Sequence, residues 1–456
     1  MQEQPTALRV PDPRVRDLFT ETARWQSWLD VEVALAHAEA ELGMIPQAAA
    51  EEIERKARVE LLDRDRIVES LRVTGHGLVP VIWELDRICE GDAGGYVHWG
   101  ATTQNITQTG QLMQVRRAHR IFLGQLSGVL EAMADLAERT ADDLLPGRTH
   151  GQHALPATFG FKVAGWIDEL SRHVERMRTA EPRMFVAMLG GGAGTMASFG
   201  DQAFELQALY AKRLGMRPMP VPSRTIADHQ AEYITLLGML AATCSKVGFE
   251  VYTLMKQEFG EVEEPISEGT VGSSTMPQKR NPKLSQDIMA AAAQLRSIVP
   301  LALEAMQTEH EADRTTSVMM GRAISDATGL TGDILARLDQ LIAGLSVFPE
   351  RMRRNLDLSG GMIMSEALML ELGATIGRQR AHDVVYDAAQ EAATGEKTFR
   401  ELLLESHELR DRLSPEQIDE LLDPARYAGQ CSAMAREQAA LGRALAAELR
   451  ALPEAP

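Results

Sequence analysis

Apolar residues recur every three to four positions through the middle of the chain. Between residues 112 and 141 they include Val115, Phe122, Leu126, Val129, Met133 and Leu136. The segment Thr158–Arg178 repeats this spacing, which is typical of a helix that buries one face. A third segment, Glu232–Phe259, spans about 28 residues, or roughly 42 Å of helix at 1.5 Å per residue. Because it carries few charges and many small residues, we expect it to be buried in a helical bundle.

The ends of the chain show shorter helical patterns. A first amphipathic helix is predicted from Asp17 to Leu42, where Gly43 and Pro46 end it. Glycines and prolines interrupt the chain from there to residue 95, and shorter helical patterns resume after residue 355. Long alternating runs of β-branched residues are missing, so the predicted fold class is all-α.

Helix length divides the chain into three predicted regions. We expect an N-terminal helical domain over residues 1–110 and a C-terminal helical domain over residues 356–456. Between them, residues 111–355 form the predicted bundle of long helices, which also contains a polar loop at residues 267–283. A chain of 456 residues is long enough to bury a sizeable core in this way.

Composition narrows the classes of function. The formal net charge of −18 argues against nucleic acid or an anionic membrane as a partner. Charged residues such as Lys246 and Glu250 interrupt the most apolar stretches, so no membrane span is expected. The first residues have no signal-peptide pattern, and the three cysteines lie far apart in sequence. These features favour a cytoplasmic protein with reduced thiols.

One polar loop interrupts the helical pattern between residue 259 and a helix predicted over residues 286–306. Its sequence, from Gly272 to Pro282, reads Gly-Ser-Ser-Thr-Met-Pro-Gln-Lys-Arg-Asn-Pro. Two prolines and the glycines exclude regular helix or strand. A polar loop held between rigid helices is a typical position for a lid or a catalytic group.

Three further segments place polar groups where the helical pattern breaks. Residues 96–105 offer hydroxyl and amide donors suited to carboxylate oxygens, although Thr102 could equally cap the following helix. Residues 147–158 contain His150 and His153 without a cysteine or carboxylate at ligand spacing, so no metal site is expected. Either histidine could instead be structural. The third segment, residues 74–77, contains His76.

The polar loop closely resembles the GSSxMPxKxNP signature of the fumarase/aspartase superfamily. In that superfamily three separated blocks, typically from three subunits of a tetramer, form one active site. The segments around Thr102, His150 and Ser273 resemble these three blocks, and the resemblance covers roughly residues 15–435. It implies a homotetramer with an all-α core and active sites shared between three subunits.

Two branches of the superfamily are similar to different parts of the chain. The segments 17–46, 96–102 and 422–427 resemble 3-carboxy-cis,cis-muconate cycloisomerases. The segment Arg148–Gln152 instead keeps the histidine that adenylosuccinate lyases use as general acid. His76 also resembles a substrate-contacting histidine of those lyases, although Gly77 follows where an acidic residue is usual. The amino-terminal Arg-Tyr motif of adenylosuccinate lyases is absent, which argues against a nucleotide substrate.

The resemblance implies a role for each candidate residue. Ser273 would be the general base, with Ser274 as the alternative, and His150 would protonate the leaving group or position the substrate. Further residues would bind a small anionic di- or tricarboxylate substrate: Thr102, Thr103, Thr149, Gln152, Ser274, Met276, Lys279, Asn281 and His76. Neither a metal nor an organic cofactor is expected, because the substrate's own carboxylate would accept the electron pair.

The predicted reaction is β-elimination from a substituted succinate, through an aci-carboxylate, with release of fumarate. The alternative is the lactonising reaction of a 3-carboxy-cis,cis-muconate cycloisomerase. Retention of His150 favours elimination, whereas the similarity of both chain ends favours the cycloisomerase. A catalytically silent helical scaffold is the third possibility, and the intact Ser273, Lys279 and Asn281 argue against it.

Overall fold

The computed structural model describes residues 8–266 and 269–453, and helices account for 69% of the chain. The N-terminal part contains four α-helices: α1 (Glu21–Glu41), α2 (Gln47–Lys56), α3 (Arg64–Thr74) and α4 (Val79–Ile88). Thr20 caps α1, and Gly43, at a positive φ of 69°, follows its end. This helix packs along the N-terminal part of the central bundle.

Long helices form the centre of the molecule. They are α5 (Thr103–Arg139), α6 (Phe159–Met184), α8 (Asp228–Leu254), α9 (Lys283–Glu304) and α10 (Arg314–Ala343), with the shorter α7 (Ala203–Arg213) beside them. The strongest packing joins α8 to α9, α9 to α10, and α5 to both α6 and α10. The predicted all-α class and the central bundle of long helices are therefore confirmed.

Short strands connect the helices. An antiparallel hairpin pairs β1 (Leu144–Thr149) with β2 (Gln152–Thr158) between α5 and α6. Two smaller pairs join β3 (Val186–Ala187) to β4 (Arg217–Pro218) and β5 (Val262–Glu263) to β6 (Ser346–Val347). The second of these pairs anchors the polar loop, because β5 leads directly into it.

The C-terminal part has a core of its own. Its helices are α11 (Pro349–Asp357), α12 (Ser365–Ile376), α13 (Arg378–Thr394), α14 (Phe399–Glu405), α15 (His407–Arg410), α16 (Pro415–Leu421) and α17 (Cys431–Ala451). Buried side chains of α12 to α16, such as Leu368 and Phe399, form a separate apolar cluster. In contrast, α17 returns to pack on α5 and α6 and joins the main core. The proposed boundaries near residues 110 and 355 stay a prediction.

One helix has the length and composition of a membrane span, contrary to the expectation from the sequence. The helix is α8, which contains an 18-residue window of mean hydropathy 1.4 that is 50% buried. The interrupting charges, Lys246 and Glu250, are too few to exclude it on composition. Its packing against α6, α9 and α10 is that of a core helix in a bundle.

A buried carboxyl group in α1 makes stability depend on pH. Glu39 is 0% exposed and neither of its oxygens has a hydrogen-bond partner among the described residues. Burial and the nearby Glu32 carboxylate raise the pKa of Glu39 from 4.5 to about 9. The folded chain therefore binds this proton more tightly than the unfolded chain, so stability falls as the pH rises from 4.5 towards 9.

We expect Glu39→Gln to stabilise the fold progressively as the pH rises. For each pH unit above 4.5, the free energy of unfolding of the wild type falls by up to about 1.4 kcal/mol. At pH 7 this loss amounts to roughly 3 kcal/mol. Urea unfolding at pH 5, 7 and 8, at one protein concentration, measures the difference. The control is Glu51→Gln, which removes an exposed carboxylate. A difference between variant and wild type that stays constant with pH would disprove the assignment.

Candidate active site

A cavity of about 740 Å³ opens where the N-terminal ends of α5 and α10 meet the segment that leads into α8. Thr102, Thr103 and His76, three of the predicted site residues, line it together. Other polar residues of the wall include Gln104, Gln108, Gln111, Gln230, Arg24, Arg224, Arg314, Thr316 and Ser317, with Asp313 as the acidic member. The cavity is therefore rich in hydrogen-bond donors, as a site for an anionic substrate requires.

Thr102 is the N-cap of α5, so the capping interpretation is confirmed. Its backbone N–H donates to Asn105 Oδ1 over 3.1 Å, and the same oxygen accepts from Gly191 N–H over 3.0 Å. These bonds fix the start of α5 against the glycine-rich segment 190–194. Capping also positions Thr103, the first residue of the helix, at the wall of the cavity.

The tautomer of neutral His76 follows from its partners. Its Nδ1 accepts a hydrogen bond from the backbone N–H of Val79 over 3.1 Å, so this nitrogen carries no proton. The proton lies on Nε2, which is 3.3 Å from Thr103 Oγ1 and donates to it. Thr103 can then donate its own hydrogen into the cavity. His76 therefore orients the Thr103 hydroxyl group at the wall of the cavity.

His150 lies at the tip of the β1–β2 hairpin. The loop has two residues, and both His150 and Gly151 have positive φ, 53° and 77°, as the tight turn of a twisted hairpin demands. Thr149 and Gln152 pair across the base of the turn, and all four residues from 149 to 152 are exposed. The imidazole is therefore presented to the outside of the isolated chain.

A buried ion pair anchors this hairpin. Arg148 Nη2 donates to Glu261 Oε1 over 2.6 Å, and Arg148 Nη1 donates to Oε2 over 3.1 Å. Glu261 is 0% exposed and also accepts from Asn355 Nδ2 over 2.8 Å. The Arg148 guanidinium lies 4.8 Å from the centroid of the Phe259 ring. Because β5 begins at the next residue, Val262, this pair ties the hairpin to the approach of the polar loop.

His153, the second histidine of the hairpin, is partly buried in β2. Burial, together with the Arg148 charge, lowers its pKa from 6.5. Among the described residues no group of three or more histidine, cysteine or acidic side chains is arranged to hold a metal ion. The structural interpretation of His153 stays a prediction.

The polar loop holds Ser273 by its own backbone. Ser273 Oγ accepts hydrogen bonds from the N–H groups of Met276 and Thr275, over 3.1 and 3.3 Å. Asn281 Nδ2 donates to the Gly272 carbonyl over 2.8 Å and closes the loop on itself. A Cβ at Gly272 would lie 2.0 Å from the Lys279 carbonyl oxygen, so only glycine fits there.

The remaining loop residues of the prediction are exposed. Ser274, Met276 and Lys279 all point away from the core of this chain. Two residues within the predicted loop range of 267–283, Ser267 and Glu268, lie outside the described residues. The loop therefore offers a serine supported by backbone donors, beside an exposed lysine.

The predicted site residues lie at opposite ends of the bundle. Thr103 begins α5, whereas the hairpin of His150 follows the end of this 37-residue helix, which is roughly 55 Å long. Gln230, at the start of α8, lines the cavity, whereas Gly248, near its end, packs on the start of α9 behind the Ser273 loop. One chain therefore does not bring the Thr102 segment together with His150 or Ser273.

Two family models match most of the chain. A family model described as "Lyase" matches residues 6–296, and a second, "Adenylosuccinate lyase C-terminus", matches residues 361–437. The chain belongs to the fumarase/aspartase superfamily. The family model and the relatives described below show that the chain is an enzyme of this superfamily.

Three relatives in this superfamily are similar over nearly the whole chain. Adenylosuccinate lyase of Methanothermobacter thermautotrophicus is 38% identical, covering 95% of this chain and 97% of its own. N-acetyl-S-(2-succino)cysteine lyase of Dickeya dadantii is 37% identical, with 91% and 92% covered. The 3-carboxy-cis,cis-muconate cycloisomerase of Pseudomonas aeruginosa is 38% identical, with 95% of each chain covered. Identity alone therefore does not choose between the two branches.

A solved structure of another protein has the same fold as this chain over nearly its whole length. The 3-carboxy-cis,cis-muconate lactonizing enzyme from Pseudomonas putida superposes with a TM-score of 0.88 at 32% identity, covering 98% of this chain and all of its own. The comparison supports the fold from end to end.

Several cavity residues were not predicted from the sequence. Arg224 and Gln230 come from segments that were not singled out, whereas Gln104 belongs to the predicted donor segment 96–105. The glycine-rich segment 190–194 was a usable signal, because the Gly192 carbonyl accepts a hydrogen bond from Arg224 of the cavity wall and Gly191 N–H donates to Asn105 in the first turn of α5.

Proposed function

We propose that this fumarase/aspartase-superfamily enzyme eliminates an amine or thiol from a substituted succinate and releases fumarate. The observation that carries this proposal is the environment of Ser273 Oγ, which accepts two backbone N–H bonds within the polar loop. A serine alkoxide can act as a base only where donors stabilise its charge, and two N–H groups aimed at the oxygen supply that stabilisation.

The reaction begins with removal of a weakly acidic proton next to a substrate carboxylate. Ser273 takes this proton, and the electron pair moves into the carboxylate to give an aci-carboxylate dianion. Charge grows on the substrate during this step, so donors that meet it accelerate the reaction. Thr102, Thr103, Lys279 and Asn281 are the donors that we place around this carboxylate. Collapse of the dianion then breaks the bond to the leaving group.

His150 completes the elimination on the leaving-group side. An amine or thiolate leaves more easily when it gains a proton, and imidazole supplies protons near neutral pH. The tight turn presents His150 outward with Thr149 and Gln152 beside it, where a substrate held by another chain can reach it. Two relatives, adenylosuccinate lyase and N-acetyl-S-(2-succino)cysteine lyase, carry names that denote a succino group on nitrogen-containing and sulfur-containing partners.

We further propose that the active site forms between chains of a cytoplasmic homotetramer. The Thr102 segment lies roughly 55 Å along α5 from the hairpin, a distance no loop movement closes. Antiparallel association of long helices places one chain's α5 start beside another chain's hairpin and loop. The superfamily resemblance further implies that the hairpin and the loop of one site come from different chains, so that three subunits contribute to each site.

The cycloisomerase is the second candidate. Its support is the equal identity of the Pseudomonas aeruginosa enzyme and the end-to-end match to the Pseudomonas putida structure. The same base and carboxylate donors would serve a lactonising reaction, in which no leaving group departs and His150 only positions the substrate.

Turnover on a substrate panel separates the two functions. The purified enzyme is incubated with succinates that carry nitrogen, sulfur or oxygen substituents, and with 3-carboxy-cis,cis-muconate. Absorbance at wavelengths typical of fumarate and muconate follows each reaction, and chromatography identifies the products. Fumarate from one or more succinates supports elimination. Loss of the muconate signal without fumarate from any succinate would instead establish the cycloisomerase.

A further inference from the structure

An arginine outside all of the predicted blocks forms part of the cavity wall. Arg224 lies between β4 and α8 and is partly buried. Its Nε donates to Gln104 Oε1 over 3.0 Å, and its Nη1 donates to the Gly192 carbonyl over 2.6 Å. Gln104 Nε2 in return donates to the Arg224 carbonyl over 2.9 Å. These hydrogen bonds hold the Arg224 guanidinium in one orientation.

All partners of this guanidinium are neutral. Arg224 forms no ion pair with any carboxylate in the part of the chain that the structure describes, although the protein carries a net charge of −18. Two of its nitrogens bond to uncharged oxygens, and Nη2 has no partner among the described residues. A partly desolvated cation without a counter-ion is stabilised when an anion binds.

The surroundings favour an anion beside Arg224. Gln104, its bonding partner, immediately follows Thr103, whose hydroxyl hydrogen is directed to the cavity by His76. Gln108 Nε2, in the next turn of α5, is buried without a hydrogen-bond partner among the described residues, so this wall has a spare donor. The carboxylate among the lining residues, Asp313, already accepts from Thr315 N–H at the start of α10. A carboxylate supplies only acceptors and matches the fork of a guanidinium.

We propose that Arg224 binds a second carboxylate of the substrate and so makes the enzyme selective for di- and tricarboxylates over monocarboxylates. This inference rests on the proposed function only in taking the cavity as part of the substrate site. The carboxylate bound by Arg224 is distinct from the one that accepts the electron pair, and binding it orients the substrate in the cavity.

Binding of unreactive acids tests this inference without any turnover. The ligands are tricarballylate, succinate and succinamate, which carry three, two and one carboxylate, and affinities are measured by calorimetry on the assembled enzyme. We expect the wild type to bind succinate at least about tenfold more tightly than succinamate, since a paired charge is worth at least 1.4 kcal/mol. In Arg224→Gln this preference should disappear, and Arg224→Lys should restore only part of it.

A control variant at another arginine, and the pattern of affinity changes for succinate and succinamate, decide whether the proposal holds. Arg217→Gln removes an exposed arginine of β4 away from the cavity and should leave the preference intact. Equal loss of affinity for succinate and succinamate in Arg224→Gln, or no loss for either, would overturn the proposal. A preference that depends on Arg224 in an enzyme that forms no fumarate would keep this inference and reject only the elimination.

Discussion

Turnover by Ser273→Ala is expected to fall below detection, a loss of about 10⁴-fold at the upper end of what a positioned base contributes. The methyl group cannot accept a proton, and the two N–H groups that now point at Ser273 Oγ would face water. The fold should survive, because this serine is in a loop and its hydroxyl bonds only to that loop. Equal helical content and equal thermal unfolding of variant and wild type check this point.

Ser274→Ala is the matched control for the base. Ser274 is the next residue, carries the same hydroxyl and is exposed, with no hydrogen bond to its Oγ among the described residues. We expect this variant to retain most of its turnover. The reverse result, an active Ser273→Ala and an inactive Ser274→Ala, would transfer the role of base to Ser274. Exchange of the substrate proton with deuterated water, which needs only the base, should be lost with Ser273 as well.

His150→Asn should slow elimination of an amine by about 10²-fold or more, as removal of a general acid typically does. Asparagine tolerates the positive φ of the hairpin tip, so the turn should form as before. The effect should depend on the leaving group, because a group that leaves as a stable anion needs no proton. We therefore expect a loss below tenfold for a succinate with a good leaving group.

Proton exchange separates the acid from a positioning residue. If His150 acts only after the proton has left, His150→Asn should still exchange the substrate proton with solvent while eliminating slowly. His153→Asn, three residues along the same hairpin, should change turnover less than tenfold. An equal loss in exchange and in elimination, for good and poor leaving groups alike, would show that His150 positions the substrate instead.

The helices were predictable because their apolar faces are long and regular. The predicted ends of the helices were less accurate. Helix α5 begins at Thr103 rather than at Leu112, because the polar residues of its first turns face the cavity and interrupt the apolar pattern. The hairpin was not predicted, since its prolines and glycines indicate a loop, whereas strand pairing from Leu144 to Thr158 supplies the hydrogen bonds. Local pattern contains no information about such pairing.

For the candidate site, motifs were informative and isolated residues were not. Thr102, Thr103 and His76 line one cavity, whereas the other predicted site residues lie at the far end of the bundle. Arg224 was missed because a single arginine in a loop has no periodicity, and only folding brings it to Gln104, 120 residues earlier. The catalytic roles of Ser273 and His150 stay predictions until the variants are measured.

The length of α5 also limits how this protein can change. Each residue inserted into a helix turns everything beyond it by about 100° and moves it by about 1.5 Å. An insertion within Thr103–Arg139 would therefore rotate the hairpin to another face of the bundle, out of register with the helices that pack along α5. The length of α5 fixes the distance and the angle between its two ends. We therefore expect tolerated insertions and deletions to be confined to the exposed connections between the shorter helices of the C-terminal part.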